Sequence, residues 1–252
     1  MKRLEPGSDA PIAIRAAVDE GWHAYRRCAG RLSGFALLAG GLNLLAQLAF
    51  RRASLGLFTP AGDPVPAVML AAGAALLVWG LSGLWLLVGL MRGAAVALEQ
   101  NHVSAALLLR PDWRAMARTF GTLTLIAVVL WGVRALADAT AGLLTLLQPL
   151  LAPLPLLARL AVLVYLAADQ VLCLPITVLG GATPLGAVQS GRRAIDPHWL
   201  QALGLLMVVS LMLLAGVLPL LAGLVVTLPL ALCTLAAAYR QLFGPPLTGS
   251  AS

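Results

Sequence analysis

Charge is scarce in this sequence: only 11% of its 252 residues are Asp, Glu, Lys or Arg, less than half of the roughly 25% usual in soluble domains. So few charged side chains cannot cover the core that a water-soluble chain of this length would bury. Cysteine and histidine number three each. Cys28, Cys173 and Cys233 lie far apart, at none of the spacings of a metal or redox pair, which excludes a disulfide scaffold and leaves them as small packing residues. Aromatics make up 6% and no basic stripe is interleaved with them, so nucleic acid is excluded as a partner despite a net charge of +7. No HExxH, no phosphate-cradling glycine loop and no three-residue glycine period occurs. The first 31 residues carry six basic side chains and no apolar core segment, so no cleavable signal peptide is expected there.

What the sequence has is apolar length. The hydrophobic fraction is 60% and the mean hydropathy +0.92. About 20 apolar residues cross a hydrocarbon core of roughly 30 Å as a helix. Uncharged runs place six spans at about residues 32–50, 67–91, 119–138, 159–180, 199–217 and 221–240, within a single transmembrane domain 11–243 between tails 1–10 and 244–252. The expected fold is all-α, a polytopic transmembrane helix bundle. Residues 139–158 are apolar but broken by Pro149, Pro153 and Pro155; they read as a short interfacial or re-entrant piece, because proline removes helix hydrogen bonds that lipid cannot replace.

Arginine distribution sets the orientation. With six spans and a cytoplasmic start, Lys2, Arg3, Arg15, Arg26, Arg27, Arg31, Arg92, Arg110, Arg114, Arg118, Arg192, Arg193 and Arg240 lie inside, and Arg51, Arg52, Arg134 and Arg159 outside. Making 139–158 a seventh span worsens that distribution from 13 against 4 to 11 against 6. The positive-inside rule therefore favours six spans with both termini cytoplasmic, in a bacterial inner membrane or another internal energy-transducing membrane.

Three stretches between the spans read as cytoplasmic interfacial helices. In the first, Ile14, Val18, Trp22, Tyr25, Ala29 and Leu32 recur at helical steps, with Arg15, Asp19, His23, Arg26 and Arg27 on the other face. Residues 93–118 and 184–198 are similar in kind. Trp22, Trp113 and Trp199 are spaced 91 and 86 residues apart, each ahead of two spans. Two readings stand: three tandem repeats of interfacial helix plus hairpin, or tryptophans that simply anchor helices at the interface.

The stretch 93–120, the run Ala187-Val188-Gln189-Ser190-Gly191-Arg192, and the segment from Thr227-Leu228-Pro229 to Ala238-Tyr239-Arg240-Gln241-Leu242 carry a family likeness. On these the chain, over about residues 11–243, resembles bacterial six-helix membrane proteins known as the glycerophosphoryl diester phosphodiesterase membrane domain, or YciC-like. Where members are enzymes, the resemblance implies a separate soluble catalytic barrel. No polar segment here exceeds about 30 residues, so only the membrane part is implied and the activity is not carried over.

Few constellations suggest chemistry. Gly80-Leu81-Ser82-Gly83 matches the serine motif of rhomboid-type proteases, but His23, His102 and His198 all fall in interfacial stretches, leaving the serine without a base at its depth. Close helix approach explains the motif instead. No catalytic, cofactor-binding or metal-ligating residue is assigned. Intramembrane charge is the stronger signal. Asp169 falls about ten residues into its expected span, where an unpaired carboxylate costs several kcal/mol. Arg134 is its candidate partner, Asp138 the i+4 competitor, and Asn43, Gln47 and Gln170 are hydrogen-bonding neighbours to consider. Asp169 is then either half of a buried pair that fixes helix register or a proton or cation site in a transport path. Two functions follow: a non-enzymatic integral membrane protein that organises lipid or a partner membrane protein at the cytoplasmic face, or a small transporter or lipid-translocating protein using a polar site near Asp169.

Overall fold

Once a chain enters lipid its backbone must bond to itself, which leaves helices and closed barrels as the available structures. A computed structural model describes residues 12–55, 66–147, 150, 153–218 and 222–244, and no strand occurs among them. The helices are α1 (Ile14–Leu55), α2 (Pro66–Glu99), α3 (Ala105–Leu109), α4 (Trp113–Leu147), α5 (Pro153–Asp169), α6 (Cys173–Val178), α7 (Pro184–Ile195), α8 (Trp199–Val217) and α9 (Leu224–Phe243), with a 3-10 turn at Asp196–His198. Among the described residues six segments are long and apolar enough to cross a membrane: Ile14–Leu55, Pro66–Glu99, Trp113–Leu146, Pro153–Val178, Pro184–Val217 and Leu224–Phe243. The protein is an all-α polytopic membrane protein with six spans. Its outward faces agree, since Leu45, Leu70, Trp131, Leu136, Leu160 and Leu200 are each at least 60% exposed, an apolar surface that water does not tolerate.

The proline-rich stretch differs from the sequence expectation. Residues 139–147 continue α4, and α5 opens at Pro153 with Pro155 two residues on. Both prolines stand in the first turn of a helix, where backbone N–H groups have no intrahelical acceptor and their loss costs nothing. Pro149 lies outside the described residues.

The three expected interfacial stretches take three different forms. The first is continuous with its span across a kink at Cys28, whose backbone (φ −120°, ψ 17°) leaves the helical region. In the second, residues 93–99 extend α2, and only Ala105–Leu109 forms a separate short helix, capped by Ser104, whose side chain accepts from Leu107 N–H at 3.2 Å. The third is the 12-residue α7, with Thr183 as N-cap and Pro184 at its first position.

Contacts sort the chain into two compact units, one of Met1–Asp19, Ala117–Leu211 and Ala237–Ser252, the other of Glu20–Met116 and Met212–Ala236. In the second unit small residues let helices approach closely. Any Cβ on Gly21 would stand 2.7 Å from the backbone nitrogen of Thr234, and one on Gly89 2.7 Å from the Phe35 ring. Phe35 in turn meets Trp85 edge to face at 5.2 Å. In the first unit Gly181, with φ +64°, ends the turn after α6 and its carbonyl accepts from Arg118 Nη1 at 2.8 Å; Gly191 of α7 faces Cys173 and Ile176.

Candidate functional site

The first unit contains a broken spanning helix with a buried carboxylate at the break. Helix α5 stops at Asp169 and α6 starts at Cys173. Across the gap Val171 N–H bonds the Ala168 carbonyl at 3.3 Å and Cys173 N–H bonds the Gln170 carbonyl at 3.0 Å, a tightening to three-residue turns. Pro175 is the local cause: it has no N–H to return to the Val171 carbonyl, so the α-helical ladder cannot run through. Asp169 is only 5% exposed, and its Oδ1 is buried without a hydrogen-bond partner.

Polar groups collect beside this break. One turn before Asp169, Tyr165 donates its hydroxyl to Asp196 Oδ1 at 2.9 Å. Arg192 Nε lies 3.5 Å from the other oxygen of Asp196. A Cβ on Gly191 would stand 3.7 Å from the Asp169 carbonyl oxygen, ordinary contact distance, so this face of α7 packs directly on the break. On α4, Thr122 meets Thr177 of α6 at 3.2 Å, while Arg118 Nε and Thr119 Oγ1 are buried without partners.

The ion pair expected between Asp169 and Arg134 is not formed. Arg134 Nε lies 3.5 Å from Asp138 Oδ2, its i+4 neighbour, and Asp138 Oδ1 accepts from Arg159 Nη1 at 2.6 Å. Helix geometry explains the choice. Arg159 stands ten residues before Asp169 on α5, about 15 Å along the axis, so the charges clustered at Asp138 belong to the opposite end of the helix. The 17 residues of α5 advance about 25 Å, and the spanning segment Pro153–Val178 continues past Asp169 through α6. Arg159, Tyr165, Arg192 and Asp196 were missed as participants because each is brought in from another turn or another helix.

The second unit contains a cationic corner where α1, α2 and α3 meet. Arg27 donates to the Ala97 carbonyl at 3.1 Å and to Asn101 Oδ1 at 3.3 Å. Arg31 donates to the Val103 carbonyl at 2.5 Å and contacts the His102 ring. Ala97 is among the last four residues of α2, whose carbonyls have no intrahelical donor, so a guanidinium there completes the helix end and meets the negative pole of its dipole. Arg92 lies 3.8 Å from Asp112, which also caps α4 through Ala115 N–H at 3.0 Å. His23, Arg26 and Arg27 line an open depression of about 440 Å³ beside this corner. Trp22 and Trp113 are 43% and 63% exposed in the same unit, and Trp199 is 41% exposed in the other.

The remaining motif residues are hydrogen-bonded structurally. Ser82 Oγ donates to the Trp79 carbonyl at 3.0 Å, and Asn43 Nδ2 donates to the same carbonyl at 2.9 Å and to Ser82 Oγ at 3.1 Å. No group of three His, Cys, Asp or Glu able to hold a metal occurs among the described residues. No family model, no curated protein and no solved structure matches the chain.

Proposed function

We propose that this is a non-enzymatic integral membrane protein of a bacterial inner membrane, or another internal energy-transducing membrane, that organises lipid or a partner membrane protein through its basic cytoplasmic face. The observation that carries this reading is the cationic corner. Arg27 is fixed to the Ala97 carbonyl in the last turn of α2 and Arg31 to the Val103 carbonyl in the connection to α3, so their charge is held at a defined place where a spanning helix ends. Six spans return the chain to the side on which it entered, and the excess of arginine on that side supports cytoplasmic termini. Resemblance to the YciC-like group fits a membrane part of this kind and remains part of the proposal. The deciding experiment is purification in native lipid with mass spectrometry of whatever accompanies the protein. An anionic lipid or a second membrane protein in fixed stoichiometry is expected.

A second reading, transport of a solute or lipid, is favoured by the α5–α6 break. Polar backbone at membrane depth is tolerated where protein or water surrounds it, and intramembrane carboxylates mark ion and proton paths. If the purified chain carries neither lipid nor partner, and vesicles containing it pass a solute in a way abolished by Asp169→Asn, the function is this second one.

A further inference from the structure

Hydrogen-bond donors outnumber acceptors in the depression lined by His23, Arg26 and Arg27. A guanidinium has five N–H donors and an imidazole at least one. Arg27 directs two of its donors to Asn101 and Ala97, which fixes the group and leaves the rest of its fork open. Among the described residues Arg26 and His23 have no hydrogen bond or ion pair, and Glu20, three residues before His23 on the same helix, pairs with neither. A site dominated by donors, two of its three groups guanidinium forks, fits an anion with several oxygens better than a cation or a neutral group.

Position along α1 identifies the source of that anion. Arg27 stands five residues before Leu32, where the apolar run begins. Five residues are about 8 Å of helix, the thickness of one headgroup layer given a core of about 30 Å in a bilayer of about 40–45 Å. The kink at Cys28 falls between the two. Trp22, adjacent to His23, is 43% exposed, whereas Leu37 and Leu38 farther along are 63% and 57% exposed: an aromatic at headgroup level, then side chains facing lipid.

We infer that the depression binds the phosphate of an anionic glycerophospholipid, with Arg26 and the open edge of Arg27 on the phosphate oxygens and a His23 N–H on a third side. This rests on the lipid reading above and narrows it to one site and one ligand chemistry. Arg27 is the positioning residue, since its bonds to the end of α2 set where the phosphate docks.

The test uses the full chain in detergent, exposed to mixed micelles of equal phosphatidylglycerol and phosphatidylcholine, with bound lipid read by native mass spectrometry. The wild type retains phosphatidylglycerol in preference to phosphatidylcholine. His23→Ala/Arg26→Ala lowers that retention about tenfold, with an unchanged thermal midpoint because both side chains are exposed and unpartnered. Arg26→Lys falls between, keeping the charge but not the fork. Arg51→Ala/Arg52→Ala, which removes two charges from the far end of α1, retains lipid like the wild type. Should the His23/Arg26 variant unfold early, His23→Gln/Arg26→Gln keeps the side-chain bulk and is read in the same way. Undiminished retention in the site variant, or equal loss in the Arg51/Arg52 variant, overturns the site. Displacement of phosphatidylglycerol by millimolar inorganic phosphate assigns the depression to a soluble anion and overturns the lipid. A wild type that shows no preference between the two lipids overturns the broader lipid reading itself, an outcome distinct from failure of the site.

Discussion

Asp169 shows how far a single residue escapes sequence reasoning. Its expected partner, Arg134, lies instead on Asp138, and Asp169 Oδ1 is buried with nothing to bond. An unsatisfied buried polar group costs about 1–3 kcal/mol, so Asp169→Ala is expected to hold or raise the thermal midpoint in detergent. That is opposite to the loss of about 3–5 kcal/mol expected on breaking a buried pair. A clear fall in midpoint would reveal a partner for the carboxylate. At Asp138 the opposite holds. Arg159 joins it across two helices at 2.6 Å while Arg134 shares its own helix at 3.5 Å. A double-mutant cycle on Asp138 and Arg159 should give a larger coupling than one on Asp138 and Arg134. Asp138 is half exposed, so the coupling is expected at about 1 kcal/mol or below.

Among the elements, α2 offers an internal comparison between two glycines. A Cβ on Gly80 meets nothing within 4 Å, whereas one on Gly89 would stand 2.7 Å from the Phe35 ring. Gly80→Ala should stabilise by up to about 1 kcal/mol through helix propensity alone. Gly89→Ala should lower the midpoint, since Phe35 is 5% exposed and packed on Trp85 and has little room to yield. Paired melting curves of the two variants check this; equal effects would mean that α1 and α2 do not approach closely at Gly89. Asp112 tests the start of α4. Asp112→Ala removes the cap on Ala115 N–H and is expected to cost about 1 kcal/mol. Asp112→Asn, which can still cap, should recover most of it, and failure to recover would shift the weight to the contact with Arg92.

For the whole molecule the open quantity is sidedness. If the proposed orientation holds, reporters fused after residue 57 and after residue 252 are expected to report opposite faces of the membrane, the second the cytoplasm. Same-side signals would remove the six-span topology. Threefold repetition makes its own demand, that Trp22, Trp113 and Trp199 quench equally with brominated lipids at headgroup depth. Unequal depths would reduce the spacing of 91 and 86 residues to coincidence.

Composition and run length were enough to determine the solvent, the fold class and the number of spans, because the cost of leaving lipid-facing backbone unpaired or charge uncovered accumulates over tens of residues and overrides local detail. They also marked α8 closely: the span read at 199–217 is Trp199–Val217. Proline misled at 153–155, where a residue that breaks a helix interior begins one instead, and the sequence does not say which turn it will occupy. Tertiary structure alone decided that Asp138 takes Arg159 across a hairpin, that Arg27 closes the end of α2 while Arg31 holds the connection after it, and that Asp169 stands unpaired at a helix break beside Gly191. Each of these depends on two helices meeting at one rotation and one depth, and a side-chain bond of about 3 Å is lost with a shift of one residue along either.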